Sequence, residues 1–326
     1  MKISRIITSV VALALVLVMC FGLTACGKKD DGKYTVGICQ LTQHVALDAA
    51  TQGFKEAIIA ELGEENVEFI YQSAQGDSTL CSTIINDFVT KNVDLILANA
   101  TSALQAAYNG TQTIPVLGTS ITEYGTALEI ADFNGTVGGN VSGTSDLAPL
   151  NEQAQMILDL FPKTKKVALL YCSAEANSGY QVKEVSKYLA DKGVETKDFA
   201  FADSNDVASV AAAAAAWADA IYVPTDNKAA DSAPTIYGAV GKTPVIAGEE
   251  GICKCCGVAT LSISYKDLGT ATGKMAVRIL KGEADIATMP IEYSKTFTKK
   301  YNAAICKELG IDTAALEQNG FVAIAE

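Results

Sequence analysis

The sequence predicts an α/β protein of two similar lobes, each a parallel sheet wrapped by helices, with a ligand cleft between them. Three observations predict it. From Tyr34 onward short apolar runs alternate with longer stretches of helical periodicity, the grammar of βαβ units. The alternation restarts after Asp146. Residues repeat as well as pattern: Asp94-Leu95-Ile96-Leu97-Ala98-Asn99-Ala100-Thr101 aligns with Asp219-Ala220-Ile221-Tyr222-Val223-Pro224-Thr225-Asp226, and Ile114-Pro115-Val116 with Thr243-Pro244-Val245.

Each element has its own signal. Val36-Gly37-Ile38 is a short apolar strand ahead of a helix around Leu47 to Leu62. Val67 to Tyr71, rich in aromatic and β-branched residues, is the next strand and leads to a helix from Ser78 to Thr90. Gln75-Gly76-Asp77 before that helix, and Ser204-Asn205-Asp206 in the second half, read as N-caps. Asp94 to Ala98 is followed by a helix from Thr101 to Tyr108 and then a strand at Ile114 to Leu117. The second half runs through a helix at Leu150 to Leu160, a strand at Lys166 to Tyr171, a helix at Ser178 to Lys192 and a strand at Thr196 to Phe201. It continues through Val207 to Ala216, Ala220 to Val223, Ala229 to Val240 and Pro244 to Ala247. Ala211 to Ala216 is low in complexity but fits a small-residue helix lying on a sheet. Each half is thus a Rossmann-like lobe. The tail, with a helix at Tyr265 to Lys281 and a strand at Ile291 to Phe297, is too short for a third domain. It is expected to cross back to complete the first lobe, with Asn302 to Leu309 a closing helix.

Composition narrows the function. The 326 residues carry 37 acids against 25 Lys and Arg, a net charge of −12 that repels polyanions and argues against nucleic acid as a partner. His44 is the only histidine, and arginine occurs at Arg5 and Arg278 alone. A mechanism needing several imidazoles, or a guanidinium fork beside a carboxylate, has almost nothing to draw on. There is no Gly-x-Ser-x-Gly elbow, no Gly-x-Gly-x-x-Gly after a strand and no phosphate loop. No catalytic residue and no cofactor are expected.

The first 25 residues read as a secretory signal peptide: Lys2 and Arg5, then an apolar run from Ile6 to Leu23. Leu23-Thr24-Ala25-Cys26-Gly27 resembles the bacterial lipobox, which makes Cys26 the lipidated N-terminus and residues 26–33 a solvated tether. Cleavage would leave 23 basic and 37 acidic residues, net −14, on a body held outside the cell membrane.

In an open parallel sheet ligands lie beyond the carboxyl ends of the strands. Candidate ligand residues are therefore Thr42, Gln43 and His44; Asn99, Thr101 and Ser102; Thr119 and Ser120; Asp146; Glu175, Asn177 and Ser178; Thr225, Asp226 and Asn227; and Glu249. Such residues also cap helices and shape turns, so their recurrence at strand ends in both halves carries the argument.

Longer motifs bring a resemblance. His44-Val45-Ala46-Leu47-Asp48-Ala49-Ala50 with Gly53-Phe54, Gln75-Gly76-Asp77, Asn140-Val141-Ser142-Gly143-Thr144-Ser145-Asp146, Ile221-Tyr222-Val223-Pro224-Thr225-Asp226-Asn227 and Leu268-Gly269-Thr270-Ala271-Thr272-Gly273-Lys274-Met275-Ala276 together resemble the ABC-transporter substrate-binding lipoproteins that include tryptophan and tyrosine importers. The resemblance covers nearly all of the chain after the tether. It implies a type I periplasmic-binding-protein-like fold with lobe 1 at 34–143 plus 262–293 and lobe 2 at 144–261 plus 294–326. A hinge near Val141 to Asp146, Ala259 to Ser264 and Ile291 to Phe297 follows, as does a monomer that delivers a small solute to a membrane permease.

An amino-acid ligand is implied, aromatic ones being common in that family; a sugar or nucleoside is the alternative. With Arg278 expected in a lobe helix, an amino-acid carboxylate would have to be held by helix N-termini and by the hydroxyls and amides of Thr101, Ser102, Thr119, Ser120, Asn177 and Ser178. Asp226 is the first choice for the ammonium, then Asp146 and Glu175. Trp217 is expected to pack within a lobe, with Tyr124 and Tyr180 as candidate ring walls. Cys253-Lys254-Cys255-Cys256 suggests a metal site as a further alternative, but a closed zinc site wants four ligands and this stretch reads as a glycine-flanked turn.

Overall fold

A computed structural model of the chain describes residues 32–325; the expected signal peptide, Cys26 and most of the tether lie outside them. The first lobe runs β1 (Tyr34–Gln40), α1 (Val45–Leu62), β2 (Val67–Ser73), α2 (Ser78–Thr90), β3 (Leu95–Asn99), α3 (Thr101–Gly110), β4 (Val116–Ile121), α4 (Tyr124–Ala127) and β5 (Val141–Ser145). The second runs α5 (Leu150–Leu160), β6 (Lys166–Cys172), α6 (Ala176–Asp191), β7 (Glu195–Phe201), α7 (Val207–Trp217), β8 (Ala220–Val223), α8 (Asn227–Asp231), α9 (Ala233–Val240), β9 (Val245–Ala247), α10 (Glu250–Cys256) and β10 (Ala259–Ser262). The tail adds α11 (Tyr265–Leu280), β11 (Glu292–Tyr293), β12 (Thr298–Tyr301), α12 (Ala303–Leu309), α13 (Thr313–Gln318) and β13 (Val322–Ala323).

The strands form two sheets, ordered β11-β5-β4-β3-β1-β2 and β13-β12-β10-β9-β8-β6-β7. Every pairing is parallel except β10 with β12. Central strands such as β3 and β8 are buried on both faces, which is why they read as unbroken apolar runs. In the tail α11 packs on the first sheet and β11 joins it, and the chain then returns to the second sheet at β12. Three segments therefore connect the lobes, after β5, after β10 and between β11 and β12.

Several elements differ from expectation. The helix expected at Ala229 to Val240 is two, α8 and α9, broken at Ser232 because Pro234 fits only a first turn. The strand expected at Ile291 to Phe297 is reduced to two residues, Glu292 and Tyr293. Asp77 caps α2 by accepting the Thr79 N–H at 2.8 Å, whereas Asp206 makes no side-chain cap. The cysteine stretch is a helix and not a turn, because the Glu249 carboxylate takes up the Gly251 and Ile252 N–H groups and so starts α10. Its Cys253 and Cys256 thiols enter the core and donate to the carbonyls of Gly257 and Ile252. Among the described residues no group of three or more His, Cys, Asp or Glu side chains is placed to hold a metal ion.

A buried polar knot ties the second lobe to its hinge. Tyr222 Oη donates to Gln153 Oε1 at 2.6 Å, and Gln153 Nε2 donates to the carbonyls of Gly248 and Leu261. Tyr222→Phe leaves a buried amide oxygen unpaired. The expected result is a loss of about 1–2 kcal/mol in urea unfolding with an unchanged m-value.

Candidate functional site

The carboxyl ends of the two sheets face each other across a cavity of about 10 Å³, room for little more than one water. Its walls are His44, Leu47, Ser120, Thr122 and Asp146 from the first half, Asn177, Thr225, Asp226, Asn227, Ala230 and Glu249 from the second, and Tyr265 at the start of α11. The lobes are closed on one another. Thr42 Oγ1 donates to Asp231 Oδ2 at 3.1 Å across the cleft, and His44 Nε2 lies 3.2 Å from Asn227 Oδ1. Asn227 Nδ2 donates to Glu175, which turns the amide oxygen toward His44 and so requires the proton on Nε2.

Local backbone aims the first-lobe residues. The β4–β5 register slips between Gly118 and Ile121, and Ser120 takes φ 56° there, a left-handed conformation costly to a non-glycine residue. On β5, Gly143, the partner of Gly118, takes φ 148° and presses on the Gly118 backbone where any Cβ would collide. The slip turns the Ser120 hydroxyl inward. Asp146 follows β5 directly, with its N–H donating to Ile121 O at 3.0 Å.

The acids in the walls differ in what they hold. Asp226 Oδ2 accepts from the Cys172 N–H and the Ser178 hydroxyl, and Oδ1 from the Ala229 N–H, each at 2.7 Å. Burial, and then the charge of Glu175, push its carboxyl up to about 7 against the pull of those donors. Glu249 is engaged by the two amides of α10 and is raised by burial, an effect that His44 opposes. Asp146 accepts at Oδ2 from Tyr265 Oη at 3.0 Å, while its Oδ1, buried, has no partner. Burial pushes Asp146 up to about 6, opposed by the Thr122 and Tyr265 hydroxyls. The Ser120 hydroxyl is likewise buried without a partner.

Other sequence candidates stand outside these walls. Glu175 serves α8, accepting from the Asn227 and Lys228 N–H groups, and Ser178 serves Asp226. Thr42 spans the cleft instead of lining the cavity. Gln43 lies with Tyr71 and Lys55 in a separate surface hollow of the first lobe. Asn99 is drawn under α1, donating to Leu47 O at 2.9 Å and Thr51 Oγ1 at 3.0 Å. Thr101 is buried at the start of α3 and Ser102 is half-buried there, both away from the cavity walls. Thr119 turns to the opposite face, in a hydroxyl cluster with Thr144 and Thr272. Tyr124 is no ring wall: it is in the first-lobe core, donating to Thr144 O at 3.1 Å. Tyr180 packs against the second-lobe core, Trp217 against Phe199, and Arg278 pairs with Glu292 at 2.8 Å on the surface.

Sequence reasoning missed Leu47, Thr122, Ala230 and Tyr265. Tyr265 had a legible signal, being the first residue of a helix that follows a hinge strand.

Comparison with known proteins decides the family. Residues 35–316 match the family model of ABC transporter substrate binding proteins. The chain belongs to that family. It is 33% identical over 270 residues to a tyrosine-binding protein of Clostridioides difficile, covering 81% of this chain and 78% of the relative. A Streptococcus pneumoniae ABC domain in complex with L-Trp superposes with a TM-score of 0.84 at 31% identity, covering 90% of this chain and all of that one. A ligand-free, open substrate-binding protein with adhesive properties from Clostridium difficile gives 0.69 at 33% identity over the same shares. At nearly equal identity, the lower score against the open structure accords with the closed lobes described above. The fold is that of type I periplasmic binding proteins. Among the described residues of this family member no helix is long and apolar enough to cross a membrane.

Proposed function

We propose that this substrate-binding protein is the extracytoplasmic receptor of an ABC importer, anchored through a lipid on Cys26, which closes on a free amino acid and presents it to the permease. One observation carries the ligand class. The closed cleft buries an acid oxygen with no partner, at Asp146, within walls that hold no lysine or arginine. Such a site favours a solute bringing a cation. Leu47, Ala230 and the Tyr265 ring supply apolar surface beside it. An aromatic side chain is favoured because the relatives named above bind tyrosine and tryptophan. A free amino acid is far larger than the closed cavity, so binding requires the lobes to part first and close afterwards. Separate hinge segments at β5, β10 and β11–β12 support such a motion.

A thermal-shift screen over amino acids, sugars and nucleosides tests the reading. An aromatic amino acid at about 100 times its dissociation constant is expected to add about 2.7 kcal/mol and raise the midpoint by several degrees. If only sugars or nucleosides raise it, the amino-acid reading fails. Intact-mass analysis of membrane-extracted protein tests the anchor: a chain that retains Met1 overturns it.

A further inference from the structure

We infer that the site grips the two charged groups of an α-amino acid separately: the ammonium on Asp146, oriented by Tyr265, and the carboxylate on the N-terminus of α1 together with the Ser120 hydroxyl. The inference rests on the amino-acid reading above and names the atoms that would carry it.

The ammonium side is settled by what each acid already holds. The walls contain Asp146, Asp226 and Glu249. Asp226 is satisfied by three donors within its own lobe and Glu249 by two amides, so a ligand would have to displace helix caps to reach either. Asp146 is hydrogen-bonded at Oδ2 only; the Thr122 hydroxyl lies near enough to favour its charge, but Oδ1 makes no hydrogen bond. It is 4% exposed, so water does not supply the missing donors cheaply. An ammonium offers three. Asp146 also sits where the chain leaves β5 for the second lobe, while Tyr265 sits where it returns from β10, so this one hydrogen bond joins two hinge segments. A ligand held there is held at the pivot.

The carboxylate side follows from the helix starts. The first amides of α8 are taken by Asp226 and Glu175, and those of α10 by Glu249. The start of α6 lies beside Glu175 and Asp226, whose charges repel an anion. The start of α1, an 18-residue helix, differs: its N-cap His44 makes no side-chain cap, its first-turn acid Asp48 accepts from the Gln40 amide and lies in the surface hollow with Gln43 instead of in the cavity walls, and both His44 and Leu47 reach the cavity. The N-terminal end of this helix, with its positive dipole end and the first N–H groups that a helix leaves unused, borders the same small space as the unpartnered Ser120 hydroxyl, which is 7% exposed. Helix amides and a hydroxyl thus take the place of an arginine.

Isothermal titration of the wild-type protein with L-tyrosine, L-tryptophan, 3-(4-hydroxyphenyl)propanoate and tyramine, repeated for Asp146→Asn and Ser120→Ala, tests this. The propanoate, lacking the amine, is expected to bind about 100-fold or more weakly than L-tyrosine, and tyramine, lacking the carboxylate, about 10-fold or more weakly. Asp146→Asn is expected to weaken L-tyrosine about 100-fold while the ligand-free unfolding midpoint is kept or raised, and Ser120→Ala to weaken it about 10-fold. Equal binding of the propanoate and L-tyrosine overturns the ammonium assignment, as does Asp146→Asn binding within threefold of wild type. Equal binding of tyramine overturns the carboxylate assignment. If the wild type binds neither amino acid, the aromatic amino-acid reading itself falls and takes the assignment with it.

Discussion

Replacing Gly269 by valine is expected to remove about 4 kcal/mol or more of stability and to leave much of the chain unfolded at ambient temperature. Helix α11 lies on α1 with backbones in contact. A Cβ at Gly269 would collide with the Ala50 carbonyl oxygen, one at Gly53 with the Lys266 carbonyl oxygen, and one at Gly273 would stand 2.6 Å from Phe54 O. The spacing Gly269-x-x-x-Gly273 places both gaps on one helix face. The collisions are with backbone, which cannot rotate away as a side-chain tip can. Relief requires α11 to lift from α1, and that strips Phe54, Ile58, Met275 and Ala276 from a shared core cluster. Gly179→Ala is the control. It lies in α6 with nothing within 4 Å of its added Cβ, and should raise stability by about 0.5–1 kcal/mol. Urea unfolding followed by circular dichroism measures both. Equal midpoints for the two variants would show that the α1–α11 contact tolerates separation.

The same glycines show why the fold was legible. In the sequence Gly53, Gly269 and Gly273 stand inside helical patterns where glycine is unfavourable, and β3 and β8 are apolar on both faces; such features are dictated locally by packing density and strand burial. Where one residue serves two structures, the reading weakened. Gly251 and Gly257 suggested a turn around the cysteines because the helix there is started by Glu249, an acid assigned to ligand instead. Asp226 shows the same ambiguity: an acid after a strand reads alike whether it caps the next helix or meets a solute, and three short hydrogen bonds assign it to the first task. Thr119 and Ser120 are neighbours in a strand and so point to opposite sides by alternation alone; which of the two meets the cleft depends on the pairing with β5, whose register slips there. Tyr265 reaches the site from α11, a helix that packs on the first lobe after leaving the second, so its place depends on contacts between segments more than a hundred residues apart.

Lowering the pH from 7 to 4 is expected to weaken L-tyrosine binding by about 100-fold while making the ligand-free protein more stable. Both signs follow from Asp146. Its carboxyl, ordinarily near 3.8, is pushed up to about 6 in the folded chain by burial, so between those values the folded state binds the proton and the unfolded state does not. Stability from this group is therefore fully present below about pH 4 and is lost as pH rises through about 6, a change of about 2–3 kcal/mol. The groups around it add to that sign: Glu249 and Asp226 are also raised by burial, and the Tyr124 and Tyr265 phenols, held well above their ordinary value, stay neutral throughout. The ammonium reverses the preference, because it needs the carboxylate and holds it charged. Affinity is then steady above about pH 6 and falls tenfold for each unit below. Asp146→Asn should flatten the affinity profile and make the stability profile shallower, with the contributions of Asp226 and Glu249 remaining. Parallel calorimetric titrations and urea unfolding curves at pH 4, 5, 6 and 7 measure the pair of effects. An affinity that holds constant down to pH 4 in the wild type would place the ammonium elsewhere than on Asp146. Because the two effects run oppositely, the energy that burial withholds from the empty, closed protein at neutral pH is the energy a cationic solute recovers, and closure is favoured when the solute is present.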